Sequence, residues 1–517
     1  MKRRMAARAI TGLLVAAVAG LWSAAAQTPP APPPSDACAA LAGLVIDKVA
    51  VTAAATVPAG AFTAEGVRRP LTVPVFCRVQ AVARPTADSE IRFEVWLPPK
   101  EKWNGKFQGT GTGGYDGSIS YAAIAAAVAH GYAATSTDTG HVGGDLKFGA
   151  GHPEKVRDWA YRAMHVTAIA AKLMTRDYYG RWPDHSYYVG CATGGHQALS
   201  EAQRYPEDYD GIVAGDPGND RLNETAGYVS AWLALHDADG KPLLTQADLQ
   251  LVTATAVATC DRDDGVADGV IDDPRRCRFN PAVLLCKAGQ SERCLSATQV
   301  DAVKKVYAGT RNPRTGALIF PGWSIGSEGY GPAPNDGWGA WLLDPKIPMR
   351  SEVYNDFVFD NPGWNFRSFD FDKDVSYAQD TIPWLAAEDR DLTAFQARHG
   401  KLILYAGWSD PVAASEDIVK YGTDVVKVMG VKRAAEFFRF YMVPGMGHCS
   451  GGPGTTSFDM LGALEQWVEH GRAPDRIVAA RPDGTRTRPL CVYPKAARWT
   501  GKGSSDDAAN FVCKIVG

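Results

Sequence analysis

The stretch Tyr187–Gly215 reads YYVGCATGGHQALSEAQRYPEDYDGIVAG. Its aromatic and β-branched start predicts a strand, and Gly190-Cys191-Ala192-Thr193-Gly194 predicts a tight turn. A helix follows, then GIVAG as a second strand. Gly190, Gly194 and Gly195 crowd this one turn. A sharp strand-to-helix reversal, with the helix packed close on the strand, needs residues without a side chain there. The pattern G-x-S-x-G puts a serine at the apex of such a turn. Here the apex is Ala192, which has no nucleophilic atom.

The same rhythm extends along the chain. From about residue 40 to 218, EIRFEVWLPP alternates with period two, and KFQGTGTGGYDG is a strand entering a glycine loop. VRDWAYRAMHVTAIAAKLMTRDYYG is a long amphipathic helix. Strands alternating with helices predict an α/β class, a parallel sheet covered on both faces. From 219 to 385 the chain turns rich in Trp, Gly, Pro and Asp, with short helices, and reads as an inserted lid. Alternation returns in 386–517, where KLILYAGWSD ends in a loop Asp and AAEFFRFYMVPGMGHC in a loop His. The expected organisation is therefore one domain built from 38–218 and 386–517, interrupted by a lid at 219–385.

The N-terminus carries Lys2, Arg3 and Arg4, then the apolar AITGLLVAAVAGLW, then small residues before Gln27. That is the form of a secretory signal peptide over 1–26, followed by a proline-rich linker over 27–37. No other apolar run reaches the ~20 residues that span a bilayer, so no membrane association is expected after cleavage. The expected location is secreted or periplasmic. A formal net charge of -3 gives no basic face for nucleic acid. Ten cysteines in an exported chain predict disulfides, without fixing their pairing. No C-x2-C or H-x3-H spacing occurs, which argues against zinc. Nothing in the sequence sets an oligomeric state.

Ala192, Asp410 and His448 each follow a predicted strand, in the order elbow, acid, histidine. That is the chain order of α/β-hydrolases. The chemistry needs a hydroxyl nucleophile, an imidazole to take its proton and a carboxylate to hold the imidazole. An oxyanion hole is expected from the backbone N–H of Thr193 and from the loop GTGTGGYDG near Gly113 or Gly114. That loop lacks the spacing and context of a dinucleotide fingerprint.

At this point the chain resembles the tannase and feruloyl esterase family, over nearly the whole mature length. The family's elbow reads G-C-S-T-G-G, followed after the helix by R-Y-P-x-D-[YF]-D-G-I-x-A-G. GCATGGHQALSEAQRYPEDYDGIVAG matches except at Ala192, and His196 stands where the family often has Arg. The family's G-x-x-H-C motif falls on GMGHC and places the histidine at His448; its acid falls on Asp410. The resemblance implies an α/β-hydrolase fold with a large inserted lid domain. It also implies the disulfides Cys38–Cys77, Cys191–Cys449, Cys260–Cys277, Cys286–Cys294 and Cys491–Cys513.

In the lid, CDRDDGVADGVIDDPRRCRFNP sets Asp261, Asp264 and Asp268 on one glycine-broken loop, a donor set suited to a hard cation or to a solvated acidic turn. The resemblance implies a structural Ca2+ held by those aspartates and the backbone carbonyls of Val266 and Val270. It implies small aromatic-acid esters as substrates: feruloyl, galloyl or terephthalate monoesters. Trp323, Trp338, Trp341, Trp364 and Phe366 are candidates for an apolar wall, although each taken singly reads as core rather than pocket, and Arg367 reads as a surface or structural residue before it reads as one that meets a substrate carboxylate.

Ala192 leaves two readings. One is a serine carboxylic-ester hydrolase whose serine has been replaced by design, everything else being present. The other is a natural pseudoenzyme that binds aromatic esters or acids without cleaving them. The retained acid and base favour the first. In both, the chain as written is expected to be nearly inactive, since loss of a triad serine costs on the order of 10⁶-fold in kcat. A calcium-dependent carbohydrate-binding protein is a third reading, and the ordered elbow, Asp and His argue against it.

Overall fold

The structure, a computed structural model, describes residues 37–515 other than 65, 66 and 68. The signal peptide and all but the last residue of the linker expectation lie outside the described residues.

Nine strands form the central sheet: β1 (Val49–Val57), β2 (Phe76–Ala83), β3 (Ile91–Leu97), β4 (Lys106–Thr110), β5 (Ala133–Thr137), β6 (His185–Cys191), β7 (Gly211–Gly215), β8 (Lys401–Gly407) and β9 (Phe438–Val443). Their order across the sheet is β1-β2-β3-β5-β4-β6-β7-β8-β9. The first three pair antiparallel, and β3 pairs antiparallel with β5. From β5 to β9 every neighbour is parallel. The parallel half is the half that needs helical crossovers.

Side-chain alternation sends each central strand to two cores. Tyr188, Ile212, Leu402 and Leu404 face a core shared with helix α1 (Ala163–Tyr179) and helix α2 (Thr193–Arg204). Tyr187, Val213 and Ile403 face the opposite core, closed by helix Met460–His470. Both faces are therefore buried, which explains why these strands read as continuous apolar runs. The long helix expected around 156–180 is helical throughout Pro153–Tyr179, with one π-turn at Asp158–Arg162. It stops at Gly180, whose left-handed φ of 78° closes the last turn onto Arg176 O.

Residues 219–385 depart from the sheet after β7 and return before β8. Helix α3 (Arg221–Leu235) packs with helices Gln246–Cys260 and Ala297–Ala308 around a third apolar core. Both of the latter helices begin with a capping box, Thr245 with Asp248 and Ser296 with Gln299. A fourth core joins Leu222, Ala226, Val353 and Tyr354 of this segment to Tyr115 and Trp159. Five disulfides close Cys38–Cys77, Cys191–Cys449, Cys260–Cys277, Cys286–Cys294 and Cys491–Cys513. Among the described residues no helix is long and apolar enough to cross a membrane.

Candidate active site

The carboxyl ends of β6, β7, β8 and β9 lie along one edge, since the four strands are parallel neighbours. Just past those ends stand Ala192, Asp216, Asp410 and His448. Open α/β sheets gather their chemistry at this edge.

The turn after β6 is built by close backbone approach. A Cβ on Gly190 would lie 2.3 Å from Gly194 O, and one on Gly195 would lie 2.2 Å from Gly215 O. Ala192 is held at φ 60°, ψ -119°. That backbone region is forbidden to most residues with a Cβ. Its N–H donates to Gly215 O at 3.0 Å, which ties the apex to β7. The Cys191–Cys449 disulfide ties the same turn to the histidine loop.

His448 Nδ1 and Asp410 Oδ2 are 2.8 Å apart. Asp410 is fully buried, and its other oxygen accepts the N–H groups of Val412 at 2.7 Å and Ala413 at 3.0 Å. Burial alone would lower the His448 pKa, but the Asp410 carboxylate outweighs it, with Asp216 adding to the rise. The net shift is upward from the ordinary histidine value. An imidazole so held can take a proton on Nε2 while Asp410 fixes its tautomer.

Ala192, His448, Gly113 and Gly114 line one cleft of about 480 Å³. Gly113 and Gly114 present open space at their Cβ positions. The Thr193 side chain points away from the cleft: its hydroxyl donates to Gly114 O at 2.6 Å and accepts from Arg221 Nη2 at 2.9 Å. The elbow and the glycine loop are thereby joined by a single side chain. Arg221 in turn pairs with Glu224, and Glu224 with Arg350, all buried.

Of the five candidate wall aromatics, one lines the cleft. Trp341 lines the cleft, together with Tyr115, Leu146, Ile347 and Met349. Trp323 and Trp338 are core residues of the inserted segment. Trp364 and Phe366 line a separate depression. Arg367 stacks over Trp232 and Phe366, and the arginine that lines the cleft is Arg350. Sequence reading missed Arg350 because it sits in an irregular stretch and takes a left-handed φ of 62°. Its signal there was no more than one Arg among many. His196 is fully buried, donates its Nε2–H to Ala160 O at 3.1 Å, and has its pKa driven down to about 3 by burial and then by Arg221. It is a neutral packing residue.

The glycine-broken loop 261–270 follows helix Gln246–Cys260 and is closed by the Cys260–Cys277 disulfide. Asp261 Oδ1 gathers the N–H groups of Asp268, Gly269 and Val270 at 2.9, 2.8 and 3.2 Å. Asp264 accepts from Val266 N–H, and burial, helped by Asp272 and Asp268, pushes its carboxyl up to about 6. Asp268 is paired with Arg488 at 2.7 Å. The donor types, carboxylates in surplus on one tight loop, fit a hard cation in kind. Asp268 would have to divide its carboxylate between such an ion and Arg488.

The family profile "Tannase and feruloyl esterase" matches residues 77–514. The chain belongs to that family. It is 39% identical to an uncharacterized esterase of Xanthomonas campestris pv. campestris, over 93% of this chain and 91% of that one. It is 35% identical to the mono(2-hydroxyethyl) terephthalate hydrolase of Piscinibacter sakaiensis, over 85% of each chain. The crystal structure of feruloyl esterase B from Aspergillus oryzae matches it with a TM-score of 0.86 at 30% identity, over 93% of this chain and all of that one. This tannase and feruloyl esterase family member thus has an α/β-hydrolase-like fold, a mixed sheet with helices on both faces. The family is one of ester hydrolases acting on aromatic acid esters.

Proposed function

We propose that the chain is the scaffold of a secreted serine carboxylic-ester hydrolase for small aromatic-acid esters, feruloyl, galloyl or terephthalate monoesters, with the nucleophile missing at Ala192. One observation carries the reading. A residue with a Cβ is held at φ 60°, ψ -119° on the lip of the cleft that His448 also lines. Strain of this kind persists where the surroundings over-determine it, and it clusters at reacting centres.

A serine at position 192 would project its hydroxyl toward His448. His448 Nε2 would accept the hydroxyl proton as Oγ attacks the ester carbonyl, and would return it to the leaving alkoxide. Asp410 would hold the imidazole throughout. The N–H of Thr193, with that of Gly113 or Gly114, would donate to the oxyanion. Water would then release the acid from the acyl-enzyme by the same exchange. Trp341, Tyr115, Leu146 and Met349 would bury the aromatic acyl group.

We further propose a structural Ca2+ in the 261–270 loop, held by Asp261, Asp264 and Asp268 with the carbonyls of Val266 and Val270. It would supply charge neutralisation to the acidic loop and take no part in the reaction. Export through a signal peptide at 1–26 belongs to the same proposal, supported by five disulfides.

Ala192→Ser is the test. Initial rates on methyl ferulate, methyl gallate and a terephthalate monoester should rise by several orders of magnitude, because a missing serine removes on the order of 10⁶-fold in kcat. If serine restores no turnover on any of them, the hydrolase scaffold reading fails. The pseudoenzyme reading, favoured only by Ala192 itself, then requires that the unsubstituted chain bind the same esters or their acids.

A further inference from the structure

We propose that Asp216 is a positioning residue of this site: its buried carboxylate clamps the histidine loop and the end of β8 to the elbow edge, and so holds His448 against Asp410. The proposal rests on the triad reading above for its catalytic meaning, and on geometry alone for the clamp.

Asp216 is the residue that follows β7. It is fully buried and takes a left-handed φ of 36°, unusual for a residue with a side chain. Its N–H donates to Tyr405 O at 2.8 Å. Its two carboxylate oxygens divide between two other segments. Oδ1 accepts from Gly407 N–H at 2.7 Å, where β8 gives way to the Asp410 loop. Oδ2 accepts from Cys449 N–H at 2.8 Å, the residue directly after His448. Cys191 Sγ lies 3.8 Å from Oδ2, so the elbow disulfide packs on the same carboxylate.

Three segments that must keep register for a proton transfer therefore meet on one side chain. Ligand-type atoms of Asp216, Asp410 and His448 all lie within 4.8 Å of one another. A second carboxylate this close to the acid is costly to bury: desolvation and the charge of Asp410 both push its pKa up. A capping role needs neither the burial nor the proximity. Around His448 the other charged groups are Asp410 and Arg350. Around Asp216, besides Asp410 and His448, are the phenols of Tyr405 and Tyr330.

Asp216→Asn keeps the shape but puts an NH2 against one of the two N–H donors, which opens one side of the clamp. The protein as it stands, with Ala192, is labelled at its histidine rings, and the His448 signal is assigned by its loss in His448→Gln. In folded D216N the far-downfield Nδ1–H signal of the bond to Asp410 should weaken. The His448 titration midpoint should fall toward the ordinary histidine value both from the weakened bond to Asp410 and from loss of the Asp216 charge, so the Nδ1–H signal is the deciding readout. In the Ala192→Ser background, D216N should lower kcat roughly 10²-fold, the scale of a small misplacement of a catalytic group, with KM little changed. An unchanged Nδ1–H signal in folded D216N overturns the proposal, because a merely structural residue would lower stability and leave that bond in place. Inactivity of Ala192→Ser would refute the esterase reading without altering the ring measurements. If D216N does not fold, amide exchange in the unsubstituted chain decides: slow exchange at Gly407 and Cys449 supports the clamp, and exchange at the rate of an open loop overturns it.

Discussion

The backbone at residue 192 makes a prediction that needs no substrate. Alanine at φ 60°, ψ -119° carries the strain of a sparsely populated region, on the order of 1–3 kcal/mol. Glycine has no Cβ and escapes that strain, at an unfolded-state entropy cost of about 0.4–1 kcal/mol. Central values of about 2 and about 0.7 kcal/mol leave Ala192→Gly more stable by about 1.3 kcal/mol. The contrast is Ala126→Gly, an exposed position inside the helix Tyr121–Ala129, where glycine should cost about 1 kcal/mol. Ala192→Ser keeps the Cβ and should change stability by less than either. Urea unfolding midpoints of the four proteins, with disulfides intact and at a common m-value, measure all three differences. If A192G is destabilised as much as A126G, residue 192 is not held in the strained elbow conformation, and the inference from strain to a reacting centre falls with it.

Other outcomes follow from the same geometry. His448 has its pKa raised in the fold, so in Ala192→Ser the base is protonated at low pH, and kcat/KM should climb with pH through an inflection above about 6.5 to a plateau. The linked stability runs the other way: it is fully present below about 6.5 and lost as pH rises through the folded value. Calcium titrated into chelator-treated protein should raise the Tm in proportion to RT ln(1 + [L]/Kd), about 2.7 kcal/mol at 100 times the Kd, and Asp264→Ala should abolish the shift; a Tm indifferent to both chelator and calcium refutes the site. Replacing Cys191 and Cys449 by serine opens a loop with a sequence separation of 258, for which chain entropy gives a loss of about 5 kcal/mol as an upper value. In the Ala192→Ser background the same pair of changes should lower kcat more than it raises KM, as loss of alignment does, and a raised KM at unchanged kcat would point to a binding defect instead.

The part of the fold visible in the sequence is the part with a period. Strands such as KLILYAG and YYVGC stand out because they are apolar on both faces, and the structure shows why: Leu402 and Ile403 point into different cores. The elbow glycines were legible because Gly190 and Gly195 meet backbone at a distance no Cβ tolerates, and Gly194 meets it at a tight 3.1 Å. The meeting of Asp410 with His448 was legible from their place just after strands that proved to be parallel neighbours. The cleft wall was not. Tyr115, Leu146, Trp341, Met349 and Arg350 come from loops and irregular turns, where no period fixes orientation. Five aromatic residues of the inserted segment offered equal claims by type, and only tertiary packing separates Trp341 from the buried Trp323 and Trp338. Asp216 was passed over for a related reason: an Asp before a Pro-Gly reads as a turn, and its two long-range acceptor bonds leave no local trace.

The energetics of these features bear on what Ala192 means. Strain at residue 192, a carboxylate buried beside another carboxylate, and a buried Arg221–Glu224–Arg350 cluster behind the glycine loop are each unfavourable taken alone. A cleft that only bound an aromatic ester would need its apolar wall and one polar contact. It would not need an imidazole held 2.8 Å from a buried acid, nor an apex residue forced to a positive φ. Local conflicts that a fold retains mark the places where something other than stability set the structure. Here they converge on the positions that a serine esterase requires to act together, and they persist around a methyl group that can use none of them. A serine esterase scaffold, as proposed, accounts for that combination by one substitution at residue 192. On that proposal a serine hydroxyl at residue 192, with nothing else changed, is expected to give turnover.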